Sequence, residues 1–531
     1  MDDPAARPAT ESTPSRAPLR LGVAAAAVCV AFAAFTGHMW EDYLITFRAS
    51  LNLATGNGLV FQPGERVHSF TSPLGTLLPA LFAIGGGENV ELRALWLLRL
   101  ASAAAFGTAV WLAMRSLLRT GVAPVAAIAA GVAWLLDAKT VDFSINGMET
   151  ALLVLGVVLS WRAFAEGAKL WPCALGCALL EWTRPDGCVY FAALALAWLL
   201  VGARGPWSAR LVAIAKPIAV AIALYLPWFV FAWAYYGSPV PHTILAKSGS
   251  ISAGEIATSM ALYPWRLLVG ATTLHDLFMP AYPFFGGWPA ALAWIARGLV
   301  TVAALAWLWP RQAAGARLAS LALFLGGFYV AIIPAFPWYY PGWLALGWIA
   351  WAGVLHVAWA NLPRPTVRIG AALLVALQAV LLACVAWQMR AQQTIIEDNH
   401  RREIGRWLRA QAAPGDRVFI EPLGYSGYYS GLKMLDFPGL ASPEVVAARR
   451  AGHRSMAQVI AKLRPEWVVL RPIEAETVFG EKPELRAAYP LARTFNTRTA
   501  IDARTILPGR NYLNFDAIYH VHRRAAAAPA P

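Results

Sequence analysis

The chain has 531 residues, 58% of them hydrophobic, with 14% charged and a mean hydropathy of +0.51. These values are typical of polytopic membrane proteins and exclude an ordinary soluble enzyme. The net charge is +14, and the basic residues mostly flank apolar segments. We therefore interpret them as residues that orient the membrane helices rather than as a nucleic-acid-binding surface. We therefore expect membrane lipids, and no nucleic acid, among its partners.

Apolar segments long enough to cross a bilayer recur along the first 388 residues, after a polar arm at residues 1–18. The first segment has no clear cleavage site, so we interpret it as a retained helix rather than a signal peptide. Segments 170–183 and 187–203 are short enough to form a tilted or re-entrant hairpin, and Arg297 interrupts segment 288–310. The pattern predicts about eleven transmembrane helices: 19–37, 92–114, 121–136, 148–165, 170–183, 187–203, 211–235, 288–310, 317–334, 343–360 and 366–388.

The distribution of charge predicts the orientation. With the N-terminus in the cytoplasm, the inner segments carry most of the Lys and Arg residues, as the positive-inside rule requires. Most carboxylates before residue 389 fall on the outer face, near the large loops 38–91 and 236–287. Two interpretations remain open: a polar reaction chamber on the outer face, or an ordinary solvated surface.

From residue 389 the sequence becomes polar. An amphipathic helix, a Pro-Gly-Asp turn and a short strand are followed by "SMAQVIAKLRPEWVVLRP", which repeats the order of helix and strand. Residues 389–531 are therefore predicted to form a soluble α/β domain outside the membrane, and residues 19–388 the membrane domain.

Two adjacent carboxylates, Glu41 and Asp42, follow the first apolar segment and begin a predicted helix at 41–54. One interpretation is structural, because negative charge is favourable at a helix N-terminus. The other is catalytic: one carboxylate accepts a proton from an attacking hydroxyl, and its neighbour raises its pKa.

Further candidates are polar residues at the outer ends of spans or in the outer loops. The basic residues among them could bind phosphate, or could pair with carboxylates and headgroups; ionisable groups at bilayer depth are functional candidates by default. A lone histidine is more often structural, and Glu149 also fits a helix N-terminus. These candidates are Arg48, His68, Glu149, Arg184, Asp186 and Lys247.

The sequence contains no phosphate-binding glycine loop, zinc-binding helix motif or nucleophile elbow. We therefore expect no cofactor; a divalent metal is not indicated by the sequence, although its use is left open. The absence of these motifs argues against a protein driven by a soluble nucleotide. It is compatible with an enzyme that acts on a substrate in the membrane.

Several motifs resemble one enzyme group. "WEDYLITFRASLNLATGNGLVFQPGERVHSFTSPLGTLL", "GMETAL", "TRPDG", "PHTILAK" and "MLDFPGLASPEV" occur in the order found in bacterial glycosyltransferases of the GT-C superfamily, similar to the terminal β-(1→2)-arabinofuranosyltransferases. Asp42 matches the second acid of the group's first motif. Glu41 stands where the group usually has aspartate, and His68 where glutamate is common.

The resemblance implies an inverting transferase that moves a sugar from a polyprenyl-phosphate donor to a glycan or lipid acceptor of the cell envelope. It implies Asp42 as base, with Glu41 beside it, on the outer face of the bacterial inner membrane. Arg48, Arg184 and Lys247 match basic positions that would hold the donor phosphate. Two other classes remain open: a transporter or flippase of a lipid-linked glycan, and a membrane-anchored glycan-binding assembly protein.

Overall fold

The structure is a computed structural model that describes residues 16–247, 252–270, 272–333, 336–504 and 507–525. Most of the predicted N-terminal arm, residues 1–15, lies outside the described residues. The chain up to residue 391 is helical, with short 3₁₀ turns at Thr273–Asp276, Pro283–Phe285, Ala306–Leu308 and Pro337–Tyr339. Its α-helices are α1 (Ala17–Thr36), α2 (Glu41–Ala54), α3 (Pro73–Ala83), α4 (Val90–Arg119), α5 (Pro124–Leu135), α6 (Ala138–Ile145), α7 (Thr150–Ala165), α8 (Leu170–Thr183), α9 (Gly187–Val201), α10 (Trp207–Tyr236), α11 (His242–Lys247), α12 (Ala253–Val269), α13 (Ala290–Leu305), α14 (Ala314–Val330), α15 (Pro341–Asn361) and α16 (Arg364–Ala391).

Each of the eleven predicted apolar segments coincides with a helix. Within the described ranges, six helices are long and apolar enough to cross a membrane, or seven if the bent pair α5 and α6 forms one span. The multi-pass character is thus confirmed. The count of eleven stays a prediction, because α7, α9 and α14 are apolar but shorter than a full span.

The membrane helices pack closely where small residues meet. A Cβ atom on Gly22 of α1 would lie 2.6 Å from the carbonyl oxygen of Gly107 on α4, so the two backbones touch at this crossing. Such contacts let helices associate in lipid, where apolar side chains gain little from leaving the solvent. The main core of the helical part is filled by large aromatic side chains such as Trp134, Trp161 and Trp348.

A helix that the sequence analysis did not predict follows α2. Ser72 caps the N-terminus of α3, its Oγ accepting a hydrogen bond from Gly75 N at 2.9 Å, and Pro73 occupies the first helical position. This Ser-Pro pair is a normal helix start signal. The predicted outer loop 38–91 therefore consists largely of helices packed against α4.

After α16 the helix continues as a π-helix over Gln392–Arg401 and leads into a mixed α/β region. Both predicted helix–strand pairs are present there, as α17 with β1 and α20 with β3. The elements are α17 (Arg402–Gln411), β1 (Arg417–Ile420), α18 (Leu423–Ser430), β2 (Lys433–Asp436), α19 (Pro443–Arg450), α20 (Met456–Leu463), β3 (Trp467–Leu470), α21 (Pro472–Glu481), α22 (Glu484–Ala488), β4 (Leu491–Asn496), α23 (Arg498–Asp502), α24 (Arg510–Phe515) and β5 (Ile518–Arg523).

The five strands form one sheet in the order β2-β1-β3-β5-β4. Strands β2, β1 and β3 run parallel, whereas β5 pairs antiparallel with both β3 and β4. Two apolar clusters cover the opposite faces of the sheet, one around Val418 and Trp467 and the other around Phe419 and Val468. This alternation follows from the two-residue period of a strand.

The α/β region contacts the helical part through α18. Tyr425 of α18 is fully buried, and its hydroxyl donates a hydrogen bond to Met39 O at 3.0 Å. Arg48 of α2 reaches across to the same region, donating to Gly427 O at 2.8 Å and to Leu432 O at 3.2 Å. The sheet is therefore held directly above the first turn of α2.

Candidate active site

Helix α2 begins at Glu41, as the sequence predicts. Gly37 ends α1 in the left-handed conformation, with φ at 64°, and Trp40 is fixed by a hydrogen bond from its N–H to Asn146 O at 2.8 Å. Glu41 and Asp42 thus occupy the first turn of a helix, where the backbone dipole stabilises negative charge. Because consecutive helical residues are about 100° apart, the two carboxylates face different neighbours.

The Glu41 carboxylate points at the α/β region. Its Oε1 accepts a hydrogen bond from Gly424 N at 2.9 Å, and its Oε2 lies 3.3 Å from Nη1 of Arg401. Burial raises the pKa of Glu41 to about 8, against the opposing effect of Arg401. Glu41 therefore joins two parts of the molecule, in addition to any role beside Asp42.

Asp42 is half-buried and faces a different group of residues. Burial raises the pKa of its carboxyl, while the positive charges of Lys247 and Arg184 and the side chain of Trp40 act in the opposite direction. A carboxyl with a raised pKa is a better proton acceptor at neutral pH than an ordinary aspartate.

A second cluster of charges adjoins Asp42. Arg184, in the turn between α8 and α9, has its Nη1 3.3 Å from Glu149 Oε1 and its Nε 2.8 Å from Asp186 Oδ1. The guanidinium also lies over the ring of Tyr339, 4.7 Å from the centroid. Three of the predicted site residues, Glu149, Arg184 and Asp186, are thus in contact. Both of the carboxylates in this group pair with the Arg184 guanidinium.

Lys247, the last residue of α11, is exposed, and its positive charge acts on Asp42. The α/β region helps to hold this helix, because Nη1 of Arg449 donates to Ala246 O at 3.0 Å. The other end of α11 is fixed by a hydrogen bond from His242 N to His68 O at 2.8 Å.

Two predicted site residues lie apart from Asp42. The ring of His68 is buried and stacked on Tyr236 at 4.6 Å, and burial lowers its pKa to about 4. The Arg48 guanidinium is also buried, stacks on Phe61 at 4.4 Å and donates to backbone carbonyls of the α/β region. Since these contacts engage both side chains structurally, we leave them out of the proposed substrate-binding site.

The structure adds residues that the sequence analysis missed. Arg401, Glu397, Arg471, Asp516 and Glu421 form a network of ion pairs beside Glu41. Apart from Glu397 and Arg401, which are four residues apart on one helix, these residues are far apart in sequence. The one local signal was the position of Glu421 and Arg471, each directly after a strand that the sequence predicts.

Within the described ranges, no group of three or more His, Cys, Asp or Glu side chains is arranged to hold a metal ion. The five cysteines are free.

Comparison with known proteins first defines the class of fold. The chain is similar to the crystal structure of ArnT from Cupriavidus metallidurans bound to undecaprenyl phosphate, with a TM-score of 0.54 and 15% sequence identity, covering 97% of this chain and 100% of that one. The chain therefore has a fold similar to that of ArnT, and the predominantly helical architecture predicted from the sequence is confirmed.

Two relatives found by sequence similarity indicate a narrower class of protein than the fold does. The chain is 31% identical over 235 residues to a terminal β-(1→2)-arabinofuranosyltransferase of Corynebacterium glutamicum, and 30% identical over 285 residues to the protein of that name from Mycobacterium tuberculosis. The matches cover 40% and 48% of this chain, and 33% and 42% of the relatives. The predicted resemblance to these transferases is confirmed, although the chain matches less than half of their length.

The α/β region also matches a sequence family of its own. Residues 388–515 match a family described as a domain of unknown function, DUF8728. This range begins within one residue of the predicted boundary at 389. The division of the chain into a membrane domain and a separate outer domain stays a prediction.

Proposed function

We propose that the chain is an inverting glycosyltransferase that moves a sugar from a polyprenyl-phosphate donor to a cell-envelope acceptor. The reaction would take place at the outer face of the bacterial inner membrane, with the N-terminus in the cytoplasm and residues 389–531 outside. The observation that carries this proposal is Asp42, a half-buried carboxylate with a raised pKa in the first turn of α2, beside the charges of Lys247 and Arg184. The fold of ArnT and the similarity to terminal arabinofuranosyltransferases support it.

The proposed step needs one base and one stabilised leaving group. The acceptor hydroxyl oxygen attacks the anomeric carbon and forms the new glycosidic bond. Its proton passes to the Asp42 carboxylate. The bond between the anomeric carbon and the phosphate oxygen breaks, and its electron pair stays on the polyprenyl phosphate. Attack from the face opposite the phosphate inverts the anomeric centre.

Lys247 is the cation best placed to receive the phosphate. It is exposed, it influences Asp42, and its ammonium group suits a phosphate oxygen. Arg184 pairs with Glu149 and Asp186, so we assign these three residues to positioning at the edge of the site rather than to direct phosphate binding.

The likeness to ArnT supports the donor class, because that structure contains undecaprenyl phosphate. The described part of the chain also contains an apolar groove of about 510 Å³ between α5 and α16, lined by residues such as Ile128, Val132 and Val375. A groove of this kind between membrane helices accommodates hydrocarbon chains.

The test is transfer of labelled sugar by the purified protein in nanodiscs, with a panel of polyprenyl-phosphate sugars that includes arabinofuranose. We expect Asp42→Asn to lower the rate about 10²- to 10⁴-fold, the usual contribution of a general base. Glu88→Gln is the matched control: Glu88 is an exposed carboxylate of the same outer loop, and its variant should retain the wild-type rate.

Retained transfer in Asp42→Asn would contradict the base assignment. Wild-type protein without transfer from any donor in the panel, but with transport of a lipid-linked glycan across the bilayer, would overturn the transferase proposal. Mass spectrometry of lipids that co-purify with the protein should identify the sugar of the donor.

A further inference from the structure

The parallel strands of the sheet end toward the candidate active site. Because β2, β1 and β3 run in the same direction, their carboxyl ends share one edge of the sheet. Glu421 directly follows β1, and Arg471 directly follows β3. Open sheets with parallel strands bind ligands outside this edge.

This edge abuts the first turn of α2. Helix α18 begins two residues after Glu421, and its Gly424 N–H donates to Glu41 Oε1 at 2.9 Å. A Cβ atom on Gly424 would lie 2.3 Å from the carbonyl oxygen of Glu41, so the two backbones are in direct contact. Glu421 is thereby held close to the turn that carries Asp42.

A chain of ion pairs fixes Glu421 relative to α2. Arg401 lies 3.3 Å from Glu41 and 2.7 Å from Asp516; Asp516 lies 2.7 Å from Arg471; and Arg471 lies 2.7 Å from Glu421. The side chains of Arg401, Asp516 and Arg471 are each 4% exposed, whereas that of Glu421 is 41% exposed. The network therefore consists of buried, mutually paired side chains, and Glu421 at its end is exposed to solvent.

Two further features describe the surroundings of Glu421. Its negative charge raises the pKa of both Glu41 and Asp42, so it faces the same turn. Beside it, the Arg471 guanidinium lies over the ring of Phe515, 4.4 Å from the centroid, and Phe515 is 46% exposed. A fixed carboxylate next to an exposed aromatic ring suits a sugar, whose hydroxyls donate hydrogen bonds and whose ring has an apolar face.

The charge of the network selects among sugars. Five carboxylates pair with only two guanidinium groups, since Arg401 pairs with Glu41, Glu397 and Asp516, and Arg471 pairs with Glu421, Glu474 and Asp516. Burial raises the pKa of Glu41 to about 8, so not all five are charged at neutral pH, but the exposed carboxylate of Glu421 repels a phosphorylated or acidic acceptor.

We propose that Glu421, held by Arg471, binds hydroxyl groups of a neutral carbohydrate acceptor opposite Asp42, with Phe515 contacting the sugar ring. This inference rests on the proposed function and adds the acceptor's chemical class and a binding residue from the C-terminal sheet. The acceptor site is thus shared between the two parts of the chain.

The experiment measures acceptor and donor kinetics separately, with the full-length protein in nanodiscs. Neutral octyl glycosides and their phosphorylated counterparts serve as acceptor probes. We expect wild-type protein to use the neutral probes, and Glu421→Gln to raise the acceptor KM about tenfold or more, as for loss of a hydrogen bond to a charged group. The donor KM should be unchanged, and Phe515→Leu should also raise the acceptor KM.

The control is Glu476→Gln, which removes an exposed carboxylate of the same helix α21 and leaves the three carboxylates paired with Arg471 in place. Its acceptor KM should equal that of the wild type, and melting temperatures in detergent verify that each variant is folded. An unchanged acceptor KM in Glu421→Gln, or a wild-type preference for phosphorylated probes, would overturn the inference while the loss of transfer in Asp42→Asn still supports the proposed function. A wild-type protein that transfers to neither kind of probe overturns both.

Discussion

Two neighbouring carboxylates at the start of α2 have different environments. Glu41 hydrogen-bonds to Gly424 and pairs with Arg401, whereas Asp42 faces Lys247 and Arg184. The difference follows from helix geometry, because adjacent side chains diverge by about 100°. A pair that resembles one catalytic unit in the sequence therefore divides into a contact between the helical part and the α/β region, made by Glu41, and a proposed base, Asp42.

Glu41 should make the stability of the protein depend on pH. Burial raises its pKa from the ordinary 4.5 to about 8. A carboxyl whose pKa is raised by folding contributes stability that is fully present below pH 4.5 and is lost as the pH rises through about 8. We expect the melting temperature of the wild type to fall over this window more than that of Glu41→Gln, whose side chain stays neutral.

Differential scanning fluorimetry in detergent, from about pH 5 to about pH 9, measures this difference. The variant Glu88→Gln, altered at an exposed carboxylate, should follow the wild-type curve. Parallel curves for the wild type and Glu41→Gln would show that Glu41 keeps the same pKa in the folded and unfolded chain.

At the scale of elements, the contact between α2 and α18 depends on a glycine. A Cβ atom on Gly424 would meet the carbonyl oxygen of Glu41 at 2.3 Å and its Cγ at 2.6 Å. The carbonyl oxygen cannot move away without displacing the first turn of α2. The orientation of the sheet above the proposed site therefore requires a residue without a side chain at this position.

We expect Gly424→Ala to lower stability by about 1–3 kcal/mol, the usual cost of overpacking, and to lower the rate of sugar transfer because Asp42 is displaced. The control is Gly480→Ala in α21, where nothing lies within 4 Å of the added Cβ atom. That helical position should tolerate alanine or gain up to about 1 kcal/mol. Thermal melts and transfer rates of the two variants test the contact; equal melting temperatures would contradict it.

At the scale of the whole molecule, Arg401 joins the helical part to the sheet. It lies at the end of the π-helix and pairs with Glu41 of α2, with Glu397 and with Asp516 next to β5. Burial alone would raise the pKa of Asp516, but the positive charges of Arg401 and Arg471 lower it to about 2. Buried charges of this kind are stable only as a complete set.

Removing the Arg401 guanidinium should therefore destabilise both the helical part and the α/β region. We expect Arg401→Met to lose about 3–5 kcal/mol, because Glu397 remains in a buried site without its paired cation and Asp516 keeps only Arg471. Arg406→Met is the matched control, since Arg406 pairs with Glu403 on an exposed surface, where ion pairs contribute little. Melting temperature and limited trypsin digestion should both distinguish the variants, and similar digestion rates would contradict the role of Arg401.

The sequence by itself determined the local features of this protein. Apolar runs located the helices, and the acidic start of α2 was predicted at its true position, because spans, caps and turns depend on residues close together in the chain. Motif order likewise predicted the fold class and the relatives. Glu149 and Asp186 were candidates because each lies at the end of a span, and their contacts with Arg184 come from the structure.

Only the tertiary structure decided which charges meet. Arg48 and His68 look like substrate ligands in the sequence, but folding engages one with backbone carbonyls and buries the other among aromatic rings. Arg401 contacts the first turn of α2 from a position more than 350 residues away and is linked through Asp516 to Arg471 and Glu421; no local pattern encodes such contacts. The reason is physical: spacing along the chain fixes periodicity, whereas the partners of a buried charge depend on how distant elements pack.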